Sequence, residues 1–324
     1  MPYAFGAALT WAFDTVILSI ALSHTIFSAG EALLLASFIS TFLHDATSTV
    51  FMWLYMGVKR QLAACWRALR SKSGKWMIFA SIMGAPIGMS GYVMAINNIG
   101  PAYTAAISAF FPAVGAVLSY FVMKEKLKVY QWCGLLVSLI AIAVLGWTPD
   151  SSAPGNWGLG IFGALLTVVG WGSEAVIMAY GMKEPGVSDE HALLIRQTTS
   201  ALSYALVLLP LMGGWVATIE VFSSGAMPIV AIAAIFGTVS YLFYYKAIVR
   251  IGPARAMAVN ITYSAWAIPV GFVLLGSIPS PIGIFCAFAI IIGSITCAAD
   301  LKQLFGIKGK PQLKIEPETE TEAE

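Results

Sequence analysis

The stretch AINNIGPAYTAA at residues 95–106 recurs as AIVRIGPARAMA at residues 247–258, at an offset of 152 residues. Each copy joins two long apolar segments through a turn of only a few residues. A second pair of similar stretches opens the two halves of the chain, since TWAFDTVILS at 10–19 resembles GWGSEAVIMA at 170–179. Two matches in the same order indicate that the chain holds two copies of one structural unit.

The composition indicates a membrane protein. Hydrophobic residues make up 59% of the 324 residues and charged residues 10%, with a mean hydropathy of +0.82. A soluble domain would carry about 25% charged residues. Apolar runs of about 18 residues or more indicate membrane-spanning helices, and the period-two alternation of a β-barrel is absent here. The predicted spans are 3–24, 31–57, 76–98, 100–122, 130–147, 158–181, 190–212, 226–249, 252–275 and 280–299.

The distribution of Lys and Arg predicts the orientation. With ten spans, every segment rich in Lys or Arg lies on one side of the membrane, which is typical of cytoplasmic loops, so both termini are predicted to be cytoplasmic. Five spans separate the repeated stretches, so the second copy is inverted in the membrane. The predicted units are a first five-helix repeat at 1–147, an inverted repeat at 158–300, and a disordered acidic tail at 301–324. Inverted repeats are typical of alternating-access transporters.

Acidic residues inside the spans require an explanation. Asp14, Asp45 and Glu174 lie well within apolar segments, where a charge costs at least about 2.5–3.5 kcal/mol unless it faces a cavity or a partner. Arg196 is the one basic residue well inside a predicted span, since Lys246 and Arg255 flank the turn between spans 8 and 9, and it either reaches the surface or pairs with one of these acids. His44, beside Asp45, is a candidate for substrate binding, for proton transfer or for a hydrogen-bonded packing role.

Aromatic residues accompany these acids. Trp11 and Trp171 each precede an acid by three residues, and Asn260, Tyr263 and Trp266 are spaced by three, which predicts a shared helix face. A single buried ring is most often a packing residue. Several rings beside acids, with one base, favour an organic cation that is held by cation–π contacts and a counter-charge. The further candidates for substrate binding are Tyr92, Tyr241, Tyr244 and Tyr245.

Three longer stretches carry a family resemblance. They are GAPIGMSGYVMAINNIG at 84–100, WGSEAVIMAYGMKEPGVSDEHALLIRQTTSALSY at 171–204, and SYLFYYKAIVRIGPARAMAVNITYSAW at 240–266. With the His44–Asp45 pair, they resemble the EamA type of the drug/metabolite transporter superfamily, and within it the bacterial choline permeases of the lic phosphocholine pathway. The resemblance implies choline uptake across the bacterial inner membrane, through a central cavity between spans 1–4 and 6–9. It also implies that Trp11 and Trp171 are cage walls, that Glu174 is their acidic partner, and that Tyr241, Tyr244, Tyr245, Tyr263 and Trp266 are further wall candidates.

Other functions receive less support from the sequence. An EamA-type exporter of amino acids or other small metabolites would need a base for a substrate carboxylate, and Arg196 is the candidate for it. A membrane-embedded enzyme is disfavoured, because there is no HExxH motif, no metal-spaced Cys/His cluster and no paired catalytic carboxylate at a membrane surface. We therefore expect no cofactor, no metal and no nucleic-acid partner. Spans 5 and 10 lack polar clusters, so we expect them to face lipid or to form a homodimer.

Overall fold

The computed structural model describes residues 1–27, 30–146, 156–276 and 278–298, and its regular elements there are all helical. The predicted disordered tail lies outside the described residues. The first helices are α1 Pro2–Leu22, α2 Gly30–Val58, α3 Leu62–Arg70, α4 Lys72–Ile82, α5 Gly88–Ser108, α6 Phe111–Val122 and α7 Val129–Gly146. The remaining helices are α8 Trp157–Gly181, α9 Asp189–Ser203, α10 Leu209–Leu211, α11 Trp215–Phe222, α12 Ala226–Ile251, α13 Pro253–Asn260, α14 Tyr263–Leu275 and α15 Pro281–Ala298.

These helices are those of a multi-pass membrane protein. Seven segments of the described chain are long and apolar enough to cross a membrane, namely Pro2–Leu22, Lys72–Gly100, Trp157–Gly181, Asp189–Leu211, Ala226–Ile251, Pro253–Leu275 and Pro281–Ala298. Helix occupies each of the ten ranges that the sequence predicts as spans, and α3 and α11 are short helices between them. The number of crossings and the orientation of the termini stay predictions.

Short π-helical turns interrupt two of the long segments. One covers Met83–Ile87, between α4 and α5, and contains Pro86; the other covers Tyr204–Leu208, just before Pro210. Proline cannot donate the backbone hydrogen bond of a regular helix, and a wider turn is one way in which a long helix accommodates this loss. The first of these turns brings Gly84 and Gly88 against α8, where the candidate residues Trp171 and Glu174 lie.

The helix pairs α5–α6 and α13–α14 share unusual features. Gly100 (φ 78°, ψ 164°) and Gly252 (φ 85°, ψ 156°) have nearly the same backbone conformation, which a residue with a side chain rarely adopts. Each glycine is followed by eight helical residues and a two-residue break, at 109–110 and at 261–262. The break at 261–262 separates Asn260 from Tyr263 and Trp266, so the expected single helix face holds only for the last two.

Small residues allow the helices to approach closely. Gly91 of α5 and Gly163 of α8 face each other so closely that a side chain on either would contact the other's backbone carbonyl. Gly134 of α7 and Gly293 of α15 meet in the same way. Glycine at a helix contact is a common packing device in membranes. Helices α7 and α15, from predicted spans 5 and 10, thus pack on each other, and their other faces expose apolar side chains such as Ile140.

Candidate substrate site

The first aromatic cluster, called the Trp11 cluster, joins three helices. Trp11 of α1 stacks on Tyr263 of α14, with ring centroids 5.5 Å apart and planes inclined by 25°. Trp11 also contacts Tyr241 of α12, with ring centroids 5.4 Å apart. All three residues are partly exposed, although Trp11 and Tyr241 lie well inside α1 and α12 and Tyr263 follows the break within the long apolar segment Pro253–Leu275. Partial exposure at this depth is what side chains at the edge of an internal space show.

The second aromatic cluster, called the Trp171 cluster, also consists of one tryptophan that contacts two other rings. Trp171 of α8 contacts Tyr92 of α5, with ring centroids 5.4 Å apart, and Phe111 of α6, with centroids 5.9 Å apart. Phe111 was not among the residues expected from the sequence. It precedes Tyr263 by 152 residues, the offset that relates the two IGPA stretches, and that offset is the signal that could have identified it.

The remaining predicted wall residues lie behind or beside these rings. Tyr244 and Tyr245 are buried, and their rings contact Tyr241 at centroid distances of 6.5 and 5.8 Å. Trp266 packs with a small apolar group on α1 and α14, and its indole nitrogen lacks a hydrogen-bond partner among the described residues. Asn260 is buried, and its side-chain oxygen also lacks such a partner. The structure therefore places Tyr241 and Tyr263 in direct contact with Trp11, and the others further away.

Arg196 is the centre of a buried ionic network. Its Nε donates to Glu174 at 3.0 Å, and its Nη1 donates to Asp45 at 2.9 Å. Nη1 also donates to Gln197 at 2.7 Å, and Nη2 donates to the Tyr241 hydroxyl at 2.9 Å. The side chain therefore does not reach the surface, and the pairing expected as one alternative from the sequence is the one that the structure contains.

His44 connects this network to the third acid. Its Nδ1 lies 3.0 Å from Asp45 Oδ1, and its Nε2 lies 3.2 Å from Asp14 Oδ1. The Asp14 contact has the distance of an ion pair but not the geometry of a hydrogen bond, because both atoms lack a hydrogen-bond partner among the described residues. Gly237 of α12 packs against both side chains, where a Cβ would lie 2.6 Å from His44 Nε2. We call Asp14, His44, Asp45, Glu174 and Arg196 the ion cluster.

The ion cluster has a surplus of negative charge. Three carboxylates face one guanidinium, so the net charge is −2 when His44 is neutral and −1 when it is protonated. Both carboxylate oxygens of Asp45 have partners, and Asp45 also accepts a hydrogen bond from Ser200. The surplus therefore resides on Asp14 and Glu174. Each of these acids lies one helical turn beyond the tryptophan of an aromatic cluster, which places negative charge beside the rings.

Replacing Gly84 is expected to destabilise the protein, because the absence of a side chain at this position leaves room for Glu174. A Cβ at Gly84 would overlap the Glu174 carboxylate, so Gly84→Ala must displace that carboxylate or the π-helical turn. We expect a loss of about 1–3 kcal/mol in folding free energy, which is the usual result of overpacking. The measurement is the thermal unfolding midpoint of the purified protein in detergent.

Gly271→Ala is the matched control for this prediction. Gly271 lies in α14, and a Cβ there would meet no atom within 4 Å. Because alanine is more favourable than glycine inside a helix by about 1 kcal/mol, this substitution should leave the unfolding midpoint unchanged or raise it. Equal midpoints for the two variants would contradict the packing of Glu174 against Gly84.

Comparison with known proteins shows the family and the fold. The model of the EamA-like transporter family matches residues 1–147 and 158–298. Protein LicB of Haemophilus influenzae is 31% identical over 220 residues, which cover 67% of this chain and 72% of LicB. A solved crystal structure superposes with a TM-score of 0.58 over 93% of this chain and 97% of its own chain. Its sequence identity of 19% limits that likeness to the fold.

Proposed function

Because the chain belongs to the EamA-like transporter family, we propose that it takes up choline or a related quaternary ammonium compound by alternating access. The chain is a membrane transporter and not an enzyme. The substrate class, the direction of transport and the residues that bind the substrate are the proposal. The bacterial cytoplasmic membrane, with both chain termini on the cytoplasmic side, is the proposed location.

The surplus negative charge of the ion cluster carries this proposal. A site for an anion needs an excess of positive charge, whereas here three acids share one arginine. A substrate cation would interact strongly with these carboxylates, because two unit charges 4 Å apart interact by about 4 kcal/mol at an effective dielectric constant of 20. A substrate cation would therefore be drawn to Asp14 and Glu174.

The aromatic clusters favour a quaternary ammonium group over a primary amine. A trimethylammonium group has no N–H to donate, so proteins bind it mainly with the faces of aromatic rings. The Trp11 and Trp171 clusters together provide six rings beside the two available carboxylates. The proposed binding residues are those of the two clusters, with Glu174 and Asp14 as counter-charges, and Tyr244, Tyr245, Asn260 and Trp266 as surrounding residues.

Two features support an inverted repeat, with units at 1–147 and 158–300. The first is the near-identical backbone conformation of Gly100 and Gly252. The second is the pair of helix breaks at 109–110 and 261–262, which have the same offset of 152 residues. Transporters with inverted repeats bind substrate near the membrane midplane, beside helices that are interrupted at corresponding positions. The broken helices here contribute Phe111 and Tyr263, one ring to each aromatic cluster.

The match to LicB supports the resemblance on which the substrate class rests. The name of LicB carries the same lic designation as the choline permeases that this sequence resembles. The 220 aligned residues account for 67% of the chain, so the likeness extends well beyond one motif. At 31% identity the substrate of a transporter can differ between relatives. The assignment to choline therefore depends on the site and on the experiment below.

An exporter of amino acids or other small metabolites is the alternative, and the position of Arg196 is the observation in its favour. Arg196 lies beside Glu174, where it would meet the carboxylate of a zwitterion. However, a guanidinium has five N–H groups, and four of them already donate to Asp45, Glu174, Gln197 and Tyr241. A substrate carboxylate would find one N–H still available and would have to break one of these bonds for a bidentate contact, so the cation is the better fit.

The proposal is tested by uptake of labelled choline into liposomes under an inside-negative potential, at two external pH values. Arsenocholine, betaine, carnitine, putrescine and phenylalanine serve as competitors. We expect saturable uptake that arsenocholine blocks, and a decrease of at least about tenfold in kcat/KM in Asp14→Asn and in Glu174→Gln, because each removes a nearby counter-charge. Glu220→Gln, the same change at an exposed position of α11, is the control.

The two pH values distinguish proton coupling from facilitated diffusion. His44 lies between Asp14 and Asp45, and a buried histidine between two carboxylates is a candidate proton carrier. Choline uptake that depends on the pH gradient in the wild type, and not in His44→Gln, would assign this role to His44. Transport of phenylalanine without any choline flux would reject the choline assignment and favour the exporter.

A further inference from the structure

A cavity lies away from the proposed substrate site, on the surface of the helix bundle. It has a volume of about 450 Å³ and is enclosed by α2, α3, α4 and α9 together with the π-helical turn that follows α9. Its lining is almost entirely apolar, with Trp53, Trp66 and Leu194 among the contributing residues. Leu206 on its outer wall is 71% exposed, so the cavity is a groove that opens sideways toward the membrane.

Helix α3 forms one wall of this groove and has the pattern of an interfacial helix. Leu62, Cys65, Trp66 and Leu69 follow the i, i+3, i+4, i+7 spacing of a single helix face, and all four line the groove. Arg67 lies on another face of α3, and Arg70 flanks the apolar face one turn after Trp66. An amphipathic helix with a tryptophan on its apolar face and arginines beside that face typically lies at the boundary between lipid headgroups and acyl chains.

Positive charge lies at the headgroup end of the groove. The segment 59–75 contains six basic residues and no acidic residue. Lys59 pairs with Glu190 at 2.7 Å, whereas Arg60, Arg67 and Arg70 form no ion pair with any carboxylate of the described chain. Arg70 lies over the Trp66 ring, with 4.5 Å between its guanidinium carbon and the ring centroid. An apolar groove therefore adjoins available guanidinium groups.

We propose that this groove binds one acyl chain of an anionic glycerophospholipid whose phosphate contacts Arg67 and Arg70. The apolar lining matches an acyl chain, and the lateral opening gives access from the bilayer. The uncompensated arginines favour an anionic headgroup over a zwitterionic one, because each basic residue near an anionic membrane surface strengthens binding by about fivefold. The site shares no residue with the ion cluster or the aromatic clusters, so it stands apart from the choline proposal.

The test uses quenching of tryptophan fluorescence by lipids with brominated acyl chains. The full chain is reconstituted in phosphatidylcholine vesicles that contain increasing fractions of brominated phosphatidylglycerol or, in a second series, of brominated phosphatidylcholine. The signal of Trp66 is the difference between the wild type and Trp66→Phe. We expect half-maximal quenching at a mole fraction ~30-fold lower for phosphatidylglycerol than for phosphatidylcholine, as two basic contacts imply.

Two double variants separate the headgroup contact from general surface charge. In Arg67→Gln/Arg70→Gln the preference for phosphatidylglycerol should fall to about one, because the phosphate contacts are removed. Lys124→Gln/Lys126→Gln removes two charges from another basic loop and should retain the full preference. Equal quenching by the two lipids in the wild type, or a preference that persists in Arg67→Gln/Arg70→Gln, would overturn the proposal.

Discussion

Replacing Arg196 by Gln is expected to destabilise the protein by about 3–5 kcal/mol and to abolish transport. The substitution leaves the carboxylates of Asp45 and Glu174 buried without their counter-charge, and breaking a buried ion pair in this way typically has such a cost. The side chain of Arg196 is only 7% exposed, so water cannot compensate. Thermal unfolding in detergent, followed by intrinsic fluorescence, measures the stability, and the liposome assay measures transport.

A rescue variant distinguishes loss of charge balance from loss of packing. Asp45→Asn/Glu174→Gln/Arg196→Gln has nearly the same side-chain volumes as Arg196→Gln alone, but the two carboxylates that Arg196 neutralised are now uncharged amides, so more than half of the lost stability should return. Transport should not return to the wild-type level, because the triple variant still lacks Glu174, one of the two proposed counter-charges for the substrate. Arg250→Gln, an exposed arginine at the end of α12, is the matched control. Equal unfolding midpoints for Arg196→Gln and Arg250→Gln would contradict the structural role of the ion cluster.

Trp11→Leu is expected to lower kcat/KM for choline by ~30-fold. A cation–π contact in a desolvated site contributes about 2 kcal/mol, and 1.4 kcal/mol corresponds to a factor of ten. Trp11 is the ring that stacks on Tyr263 and contacts Tyr241, so its loss removes the centre of its cluster. Trp11→Phe keeps a smaller aromatic face and should have an intermediate effect. The measurement is the initial rate of labelled choline uptake as a function of concentration.

Trp157→Leu is the control for this prediction. Trp157 begins α8 and contacts Tyr103, with ring centroids 4.9 Å apart, but it belongs to neither aromatic cluster. We expect it to change kcat/KM for choline by less than about threefold, because it removes no contact with the proposed substrate. If Trp157→Leu and Trp11→Leu weakened uptake equally, Trp11 would be a packing residue and the cage would have to lie elsewhere.

The positions of the helices could be predicted from the sequence with little ambiguity. Long apolar runs specify spanning helices by length, and the short IGPA turns specify where one helix ends and the next begins. The interruptions within helices were harder to predict. Pro86 and Pro269 both lie inside predicted spans, yet Met83–Ile87 forms a π-helical turn while α14 continues through Pro269. Neighbouring helices decide which of these disturbances occurs, and a local sequence does not contain that information.

The site was partly predictable because two of its three acids, Asp14 and Glu174, follow a tryptophan by three residues. That spacing identified Trp11, Asp14, Trp171 and Glu174 as neighbours within a helix. It did not predict that Arg196 would bond Asp45 and Glu174 at once, because these residues are 151 and 22 positions away from it in the chain. Phe111 was missed because phenylalanine in an apolar helix is usual, and only its relation to Tyr263 distinguishes it from the chain's other phenylalanines.

The bonds of Arg196 have a mechanical consequence. They tie α9 to α2, α8 and α12, so one side chain joins helices from both predicted repeats. When one rigid body rocks against another, atoms near the axis of rotation keep their separations, whereas atoms at the ends of the helices move furthest. An arginine whose bonds are this costly to break is best placed on that axis. We therefore expect the ion cluster to keep its geometry in the inward-open and outward-open states, while the gates open and close at the helix ends.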